Sequence, residues 1–189
     1  MSSNKKTALF GLFCIALLAI AVSASGQVRI DLPRSETTRP PDRFRVPEPN
    51  LPGTPEEISW WKSLRETGDA VLSSRGDKKD AKKFRELLNE GQAKSYAAPV
   101  ADRKPVILYK PPPRYSEEGR RRRITGEITM NVELLPDGTV GSVKLNNSLG
   151  AGLDEKAVEA VRKTIFLPAV KDRKFTSFSV YMLMMFNIY

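Results

Sequence analysis

The chain has 189 residues, room for one domain of about 100–150 residues plus further segments. It contains no histidine, and its single cysteine, Cys14, lies in an N-terminal apolar run. This excludes Ser-His and Cys-His nucleophilic dyads and the common imidazole or thiolate zinc sites. The formal net charge of +9 suits an anionic partner, but the densest basic run, Arg120-Arg121-Arg122-Arg123, has no interleaved aromatics. That run reads as solvated surface, and no nucleic-acid partner is expected.

Lys5 and Lys6 precede an uncharged stretch from Thr7 to Gln27 whose apolar part runs from Ala8 to Ala24. A basic start, an apolar run and a small-residue end at "AVSASGQ" follow the plan of a secretory signal, with Val22-Ser23-Ala24 fitting the small-x-small rule. The same run sits at the lower length limit for spanning a bilayer. Residues 1–26 are therefore read as a signal peptide or an N-terminal membrane anchor. In either case the chain from about Gln27 onward leaves the cytoplasm, and a cysteine-free mature chain suits an oxidising compartment.

Residues 27–53 form a Pro-rich linker, with Pro33, Pro40, Pro41, Pro47, Pro49 and Pro52 among charged residues. Such a segment favours extended polyproline-II conformations and cannot bury a core. Residues 54–91 read as a helical pair. Thr54, Pro55 and Glu57 give a capping box, with Ile58, Trp61 and Leu64 on one face. Asp77 caps a second helix that turns Ala81, Phe84, Leu87 and Leu88 inward and stops at Gly91. The adjacent Trp60 and Trp61 are expected to pin the helices together or to the next domain. Residues 92–110 read as a second linker containing "PVILYKPPP".

In the remaining segment, "YSEEGRRRR" reads as a short helical turn. Ile128, Met130, Val132 and Leu134 then alternate with Glu127, Thr129, Asn131 and Glu133, the mark of a strand with one buried face. Leu135-Pro136-Asp137-Gly138 signals a turn. In the next strand Val140 is out of parity with Val143 and Leu145, which a bulge near Gly141 reconciles. Leu153, Ala157, Ala160, Val161 and Ile165 recur at helical spacing, with Asp154 and Glu155 in the first turn and Pro168 as the stop. Phe175 to Tyr189 reads as one long strand. Phe178, Val180, Met182, Met184, Phe186 and Ile188 face one way, and Tyr181, Leu183, Met185 and Tyr189 the other. That second apolar face needs a cover: the N-terminal helices, a second copy of the chain or a ligand segment. The fold class is α+β, a small antiparallel β-sheet covered by helices in the order helix-β-β-helix-β, preceded by the helical pair and the Pro-rich spacer.

The glycines of "LGAGLDEK" raise the question of a phosphate-binding loop. Glu155 occupies the third glycine position of a dinucleotide fingerprint, and with Asp154 it puts negative charge where a pyrophosphate would sit. Gly150 and Gly152 therefore read as conformational joints. The carboxylates that could support catalysis, Asp137, Asp154, Glu117 and Glu118, each have a structural role, so no enzyme and no cofactor is expected.

The ordered set Tyr115, Gly126, Asp137-Gly138-Thr139-Val140, Ser148, Gly150, Leu153-Asp154, Ala157, Ala160-Val161 and Phe166-Leu167-Pro168-Ala169 resembles the C-terminal domain of the TonB family, over residues 111–189. Departures from the pattern are Ser116 where proline is usual, Arg173 and Phe175 before the last strand, and an apolar N-terminus without histidine. The resemblance implies a periplasmic protein that binds an extended segment of an outer-membrane TonB-dependent receptor by adding it to the sheet edge. It also implies partnership with an inner-membrane proton-channel complex that supplies proton-motive-force energy. The alternative is a secreted periplasmic binding or scaffold protein with this fold and no energy coupling; a homodimer is a further candidate assembly. On the resemblance, the edge is the C-terminal strand, with Phe175, Ser177, Ser179, Tyr181, Leu183, Met185, Asn187 and Tyr189 as partner-binding residues.

Overall fold

The structure is a computed structural model, and it describes residues 45–188. The signal peptide or anchor, the linker up to residue 44, and Tyr189 lie outside the described residues.

Helix α1 (Pro55–Ser73) starts as its sequence dictates. The Thr54 side chain accepts from the Glu57 amide, and Glu57 accepts from the Thr54 amide, closing the capping box. Helix α2 (Lys78–Ala93) is capped by Asp77. The two helices bury Trp61, Leu64, Val71, Phe84 and Leu88 between them and their surroundings. Each such side chain contributes about 1.5–3 kcal/mol of burial. Ile58, expected inward, is exposed, because the buried stripe of α1 begins at Trp60 and Trp61. Gly91 does not stop α2. It lies inside the helix, beneath the indole of Trp60, where a larger residue would collide.

The Pro-rich stretch is not a free spacer over its described end. Val46 is buried, its methyl group filling the space above Gly68, and Pro47 O accepts from Trp61 Nε1 at 2.9 Å. Asn50 and Leu51 donate their amides to Pro99 O, and Ala101 N donates to Asn50 Oδ1. Proline has no N–H, so this segment docks through its carbonyls, its non-proline amides and one asparagine side chain.

The C-terminal part begins with helix α3 (Glu117–Arg121), following strand β1 (Val106–Tyr109). Ser116, the residue standing where proline is usual, caps α3 by accepting from Gly119 N, and its hydroxyl donates to Ala151 O. Strands β2 (Gly126–Leu134) and β3 (Val140–Leu145) form an antiparallel hairpin. Its turn is held by Leu135 N to Thr139 O and by Asp137 Oδ1 accepting from the Thr139 amide. Val143 pairs with Val132 and Val140 with Leu134, so Gly141 and Ser142 together oppose Glu133. The expected bulge lies there, and Glu133 fills it by accepting from Ser142 Oγ at 3.0 Å.

Helix α4 (Leu153–Arg162) follows three consecutive left-handed residues: Gly150 at φ +67°, Ala151 at +49° and Gly152 at +74°. Glycine adopts this conformation freely. Asp154 reaches back to accept from Leu149 N and from Ser148 Oγ. The loop is a chain reversal closed by its own aspartate. Strands β4 (Ile165–Leu167), β5 (Ala169–Lys171), β6 (Lys174–Thr176) and β7 (Phe178–Phe186) complete the chain.

The main sheet has the order β3-β2-β7, all antiparallel. Its inner face, with Ile128, Met130, Val132, Met182, Met184 and Phe186, packs on Leu153, Ala157 and Val161 of α4. This is the expected layer of helices on an antiparallel sheet. Three further expectations need correction. Residues 92–110 are not a plain linker: β1 lies in them, pairs antiparallel with β4, and buries Val106 and Leu108. Ile165 is not helical; α4 ends at Arg162, before Pro168 could act, and Ile165 faces the core of the helical pair. The long last strand is two strands, because β6 turns back on β5 through Asp172 and Arg173 while β7 alone joins β2. Phe175, in β6, stacks on Trp61 at 6.3 Å and meets Trp60 edge-on at 6.2 Å. The tryptophans thus do pin the helices to the C-terminal module. Strand β4 sits between two cores, with Ile165 and Leu167 in one and Phe166 in the other.

Candidate functional site

Strand β7 is the outer strand of its sheet, and among the described residues only β2 pairs with it. Which of its backbone groups are free follows from the register. Thr129 of β2 accepts from Asn146 N at 2.9 Å and donates its own amide to Asn147 Oδ1 at 2.7 Å, both on the β3 side. In an antiparallel ladder the two backbone groups of one residue point the same way and alternate along the strand. Met130 therefore points toward β7 and bonds its register partner Met182, whereas Thr129 does not bond its own, Leu183. It follows that Ser179, Tyr181, Leu183 and Met185 direct their N–H and C=O groups outward from the sheet.

The side chains of these four residues share the other alternation. Phe178, Val180, Met182, Met184 and Phe186 face the core or its margin, so the outward-bonding residues also face the open side of the sheet. Tyr181 is 65% exposed and Met185 57%, and Leu183 lies half-buried between them. Beside them on β2 stand Glu127, Thr129, Asn131 and Glu133, all polar. On this open face of the sheet the exposed apolar side chains are thus those of the edge strand. The helical pair does not cover it, because α1 and α2 pack on β1, β4 and the β5–β6 hairpin.

One side chain touches the open backbone. Lys110 Nζ donates to Leu183 O at 2.8 Å. Lys110 directly follows β1 and precedes Pro111-Pro112-Pro113. Nothing in its sequence context marks this contact, which depends on β1 pairing with β4 and so bringing residue 110 beside β7.

Of the residues expected on the edge, Ser179, Tyr181, Leu183 and Met185 lie together on β7. Ser177 is exposed in the step from β6 to β7, and Asn187 is exposed just past the strand. Phe175 lies apart from them, packed against the tryptophans, and Ile188, expected on the buried face, is exposed beyond the strand end. Among the described residues no cluster of three or more His, Cys, Asp or Glu could hold a metal ion, and no helix is long and apolar enough to cross a membrane.

Residues 111–188 match the family model described as Gram-negative bacterial TonB protein C-terminal. That span is less than half of the chain. The solution NMR structure of the Pseudomonas aeruginosa TonB C-terminal domain is similar at 23% identity and a TM-score of 0.39, covering 46% of this chain and 89% of that one. No curated protein matches the chain.

Proposed function

We propose that this chain, whose residues 111–188 form a TonB C-terminal-like domain, binds an extended segment of an outer-membrane transporter by adding it as a strand to β7. The observation that carries the reading is the row of outward N–H and C=O groups at Ser179, Tyr181, Leu183 and Met185, lined by exposed Tyr181 and Met185. Strand addition satisfies those groups in full and covers apolar surface at the same time, so main-chain bonds supply affinity and alternate side chains specificity. No catalytic group is needed. The family match over residues 111–188 supports a periplasmic site of action; in this reading the apolar run of residues 7–25 serves as an inner-membrane anchor through which a proton-channel complex transmits energy.

Amide hydrogen exchange tests the binding step. On titration with a receptor segment, the amides of Ser179, Tyr181, Leu183 and Met185 gain protection, while those of Val180, Met182 and Met184, already bonded to β2, do not change. Protection along β3, or none, sinks the proposal.

The absence of histidine from the N-terminal apolar run favours a second reading, a released periplasmic binding or scaffold protein without energy coupling. Sequencing the N-terminus of the mature protein separates the two. A start near Gly26 leaves no membrane anchor in residues 7–25 for transmitting force.

A further inference from the structure

We propose that Lys110 is a specificity-determining residue of the β7 edge, selecting extended segments that carry a carboxylate at the register of Leu183. This rests on the reading of β7 as the partner-binding edge and adds the chemistry of the partner.

Lys110 is held in place by its backbone. On one side β1 is hydrogen-bonded to β4, ending at the Tyr109–Ile165 pair. On the other, Pro111, Pro112 and Pro113 fix their φ angles and offer no N–H, so this stretch cannot itself pair along β7 through amides. The lysine side chain leaves this anchored point and places its ammonium on Leu183 O. A cation on an outward carbonyl also blocks unwanted strand pairing, a known protection of sheet edges.

The contact is incomplete in a way that names its better partner. Among the described residues no carboxylate lies within ion-pair distance of Lys110, so its exposed ammonium is held by a neutral carbonyl. The outward side chains of β7 are all uncharged. The nearest acidic side chain by register is Glu127, opposite Met185 on β2. It is two strand spacings, roughly 10 Å, from an added strand, about one Debye length at ordinary salt. Lys110 therefore places a cation directly on the edge that an added strand would occupy.

When a strand adds, its own N–H takes Leu183 O, and the ammonium must find another acceptor. A carboxylate on the incoming strand accepts a charge-assisted hydrogen bond, stronger than one to a neutral group. A lysine or arginine at the same register faces like charge and is rejected.

The test uses the full chain and two labelled peptides of alternating Val and Thr, one with a central Glu and its twin with Gln, titrated by fluorescence anisotropy at low salt. The expected result is binding about two- to fivefold tighter for the Glu peptide, the range of an exposed ion pair. That preference narrows with added salt, falls to parity in Lys110→Met, which keeps the aliphatic stem, and survives in Lys110→Arg. Equal binding of the two peptides by the native chain overturns the inference, as does an undiminished Glu preference in Lys110→Met. Failure of both peptides to bind the native chain is a different outcome: it removes β7 as a binding edge, and the role of Lys110 with it.

Discussion

Trp60 lies so closely over Gly91 that a Cβ there would fall 2.1 Å from the indole ring. The indole cannot easily yield, since its Nε1 donates to Leu87 O at 2.8 Å and its ring packs against Tyr96 and Phe175. Overpacking of this kind costs about 1–3 kcal/mol, more than the ~1 kcal/mol that alanine gains over glycine in a helix. Gly91→Ala is expected to lower the thermal midpoint. A raised midpoint would mean that the indole swings clear.

Glu57 ties the start of α1 to the chain after α2. Its carboxylate accepts from Ala97 N and Thr54 N, both at 2.9 Å, and faces Arg173 at 3.5 Å. These contacts, the Ala97 amide foremost, hold its pKa below the ordinary 4.5, with burial opposing. A depressed carboxylate stabilises the fold above its unfolded pKa, and the contribution disappears as pH falls through the lower folded value. Denaturant midpoints measured against pH should therefore show Glu57→Gln weaker than the native chain above 4.5, by about 1 kcal/mol for a lost charge-assisted bond. The two curves should converge in more acidic solution. Parallel curves would remove the carboxylate's charge from the account.

Arg173 occupies a left-handed position, φ +61°, in the two-residue turn between β5 and β6, preceded by Asp172 at +50°. Glycine is free of strain there, and a left-handed non-glycine residue costs roughly 1–2 kcal/mol. The arginine offsets part of that through Glu57, in a pair worth about 0.2–1 kcal/mol at this exposure. Arg173→Gly should stabilise slightly in the native background and more strongly in Glu57→Gln. A double-mutant cycle in chemical unfolding checks the coupling; additive effects would show the ion pair to be idle.

Proline separates the two alternations of β7. Tyr181 directs its N–H outward, so Tyr181→Pro should keep the β2 ladder and the native circular dichroism while abolishing strand addition. Val180 directs its N–H to β2, so Val180→Pro should destabilise the sheet itself. Retained segment binding by a folded Tyr181→Pro would place the site elsewhere.

The family span beginning at residue 111 is not expected to behave as a self-sufficient folding unit in this chain. Removing residues 1–110 deletes β1, the partner of β4, and uncovers Leu167, Val170 and Phe175. The shortened chain should bind hydrophobic dye and melt well below one starting at residue 45. Equal melting would show the two cores to be independent.

The sequence by itself determined whatever depends on neighbours along the chain. Caps at Thr54 and Asp77, the Asp137–Gly138 turn, the bulge after Val140, the glycine joint at Gly150–Gly152 and the alternation of β2 are local effects. Each is written within a few residues, as is the parity that puts Ser179, Tyr181, Leu183 and Met185 on one face. Tertiary structure alone decided the rest. Strands β1, β4, β5 and β6 are three or four residues long, too short to display a period, and Ile165-Phe166-Leu167 is buried throughout because it lies between two cores. Such strands exist because a distant partner supplies their hydrogen bonds. Long-range strand pairing moved Phe175 from the edge to the tryptophans and brought Lys110 to Leu183, and packing of α1 on α2 put Trp60 over Gly91. Propensity and periodicity act over a few residues, and these contacts span 31, 73 and more than a hundred positions.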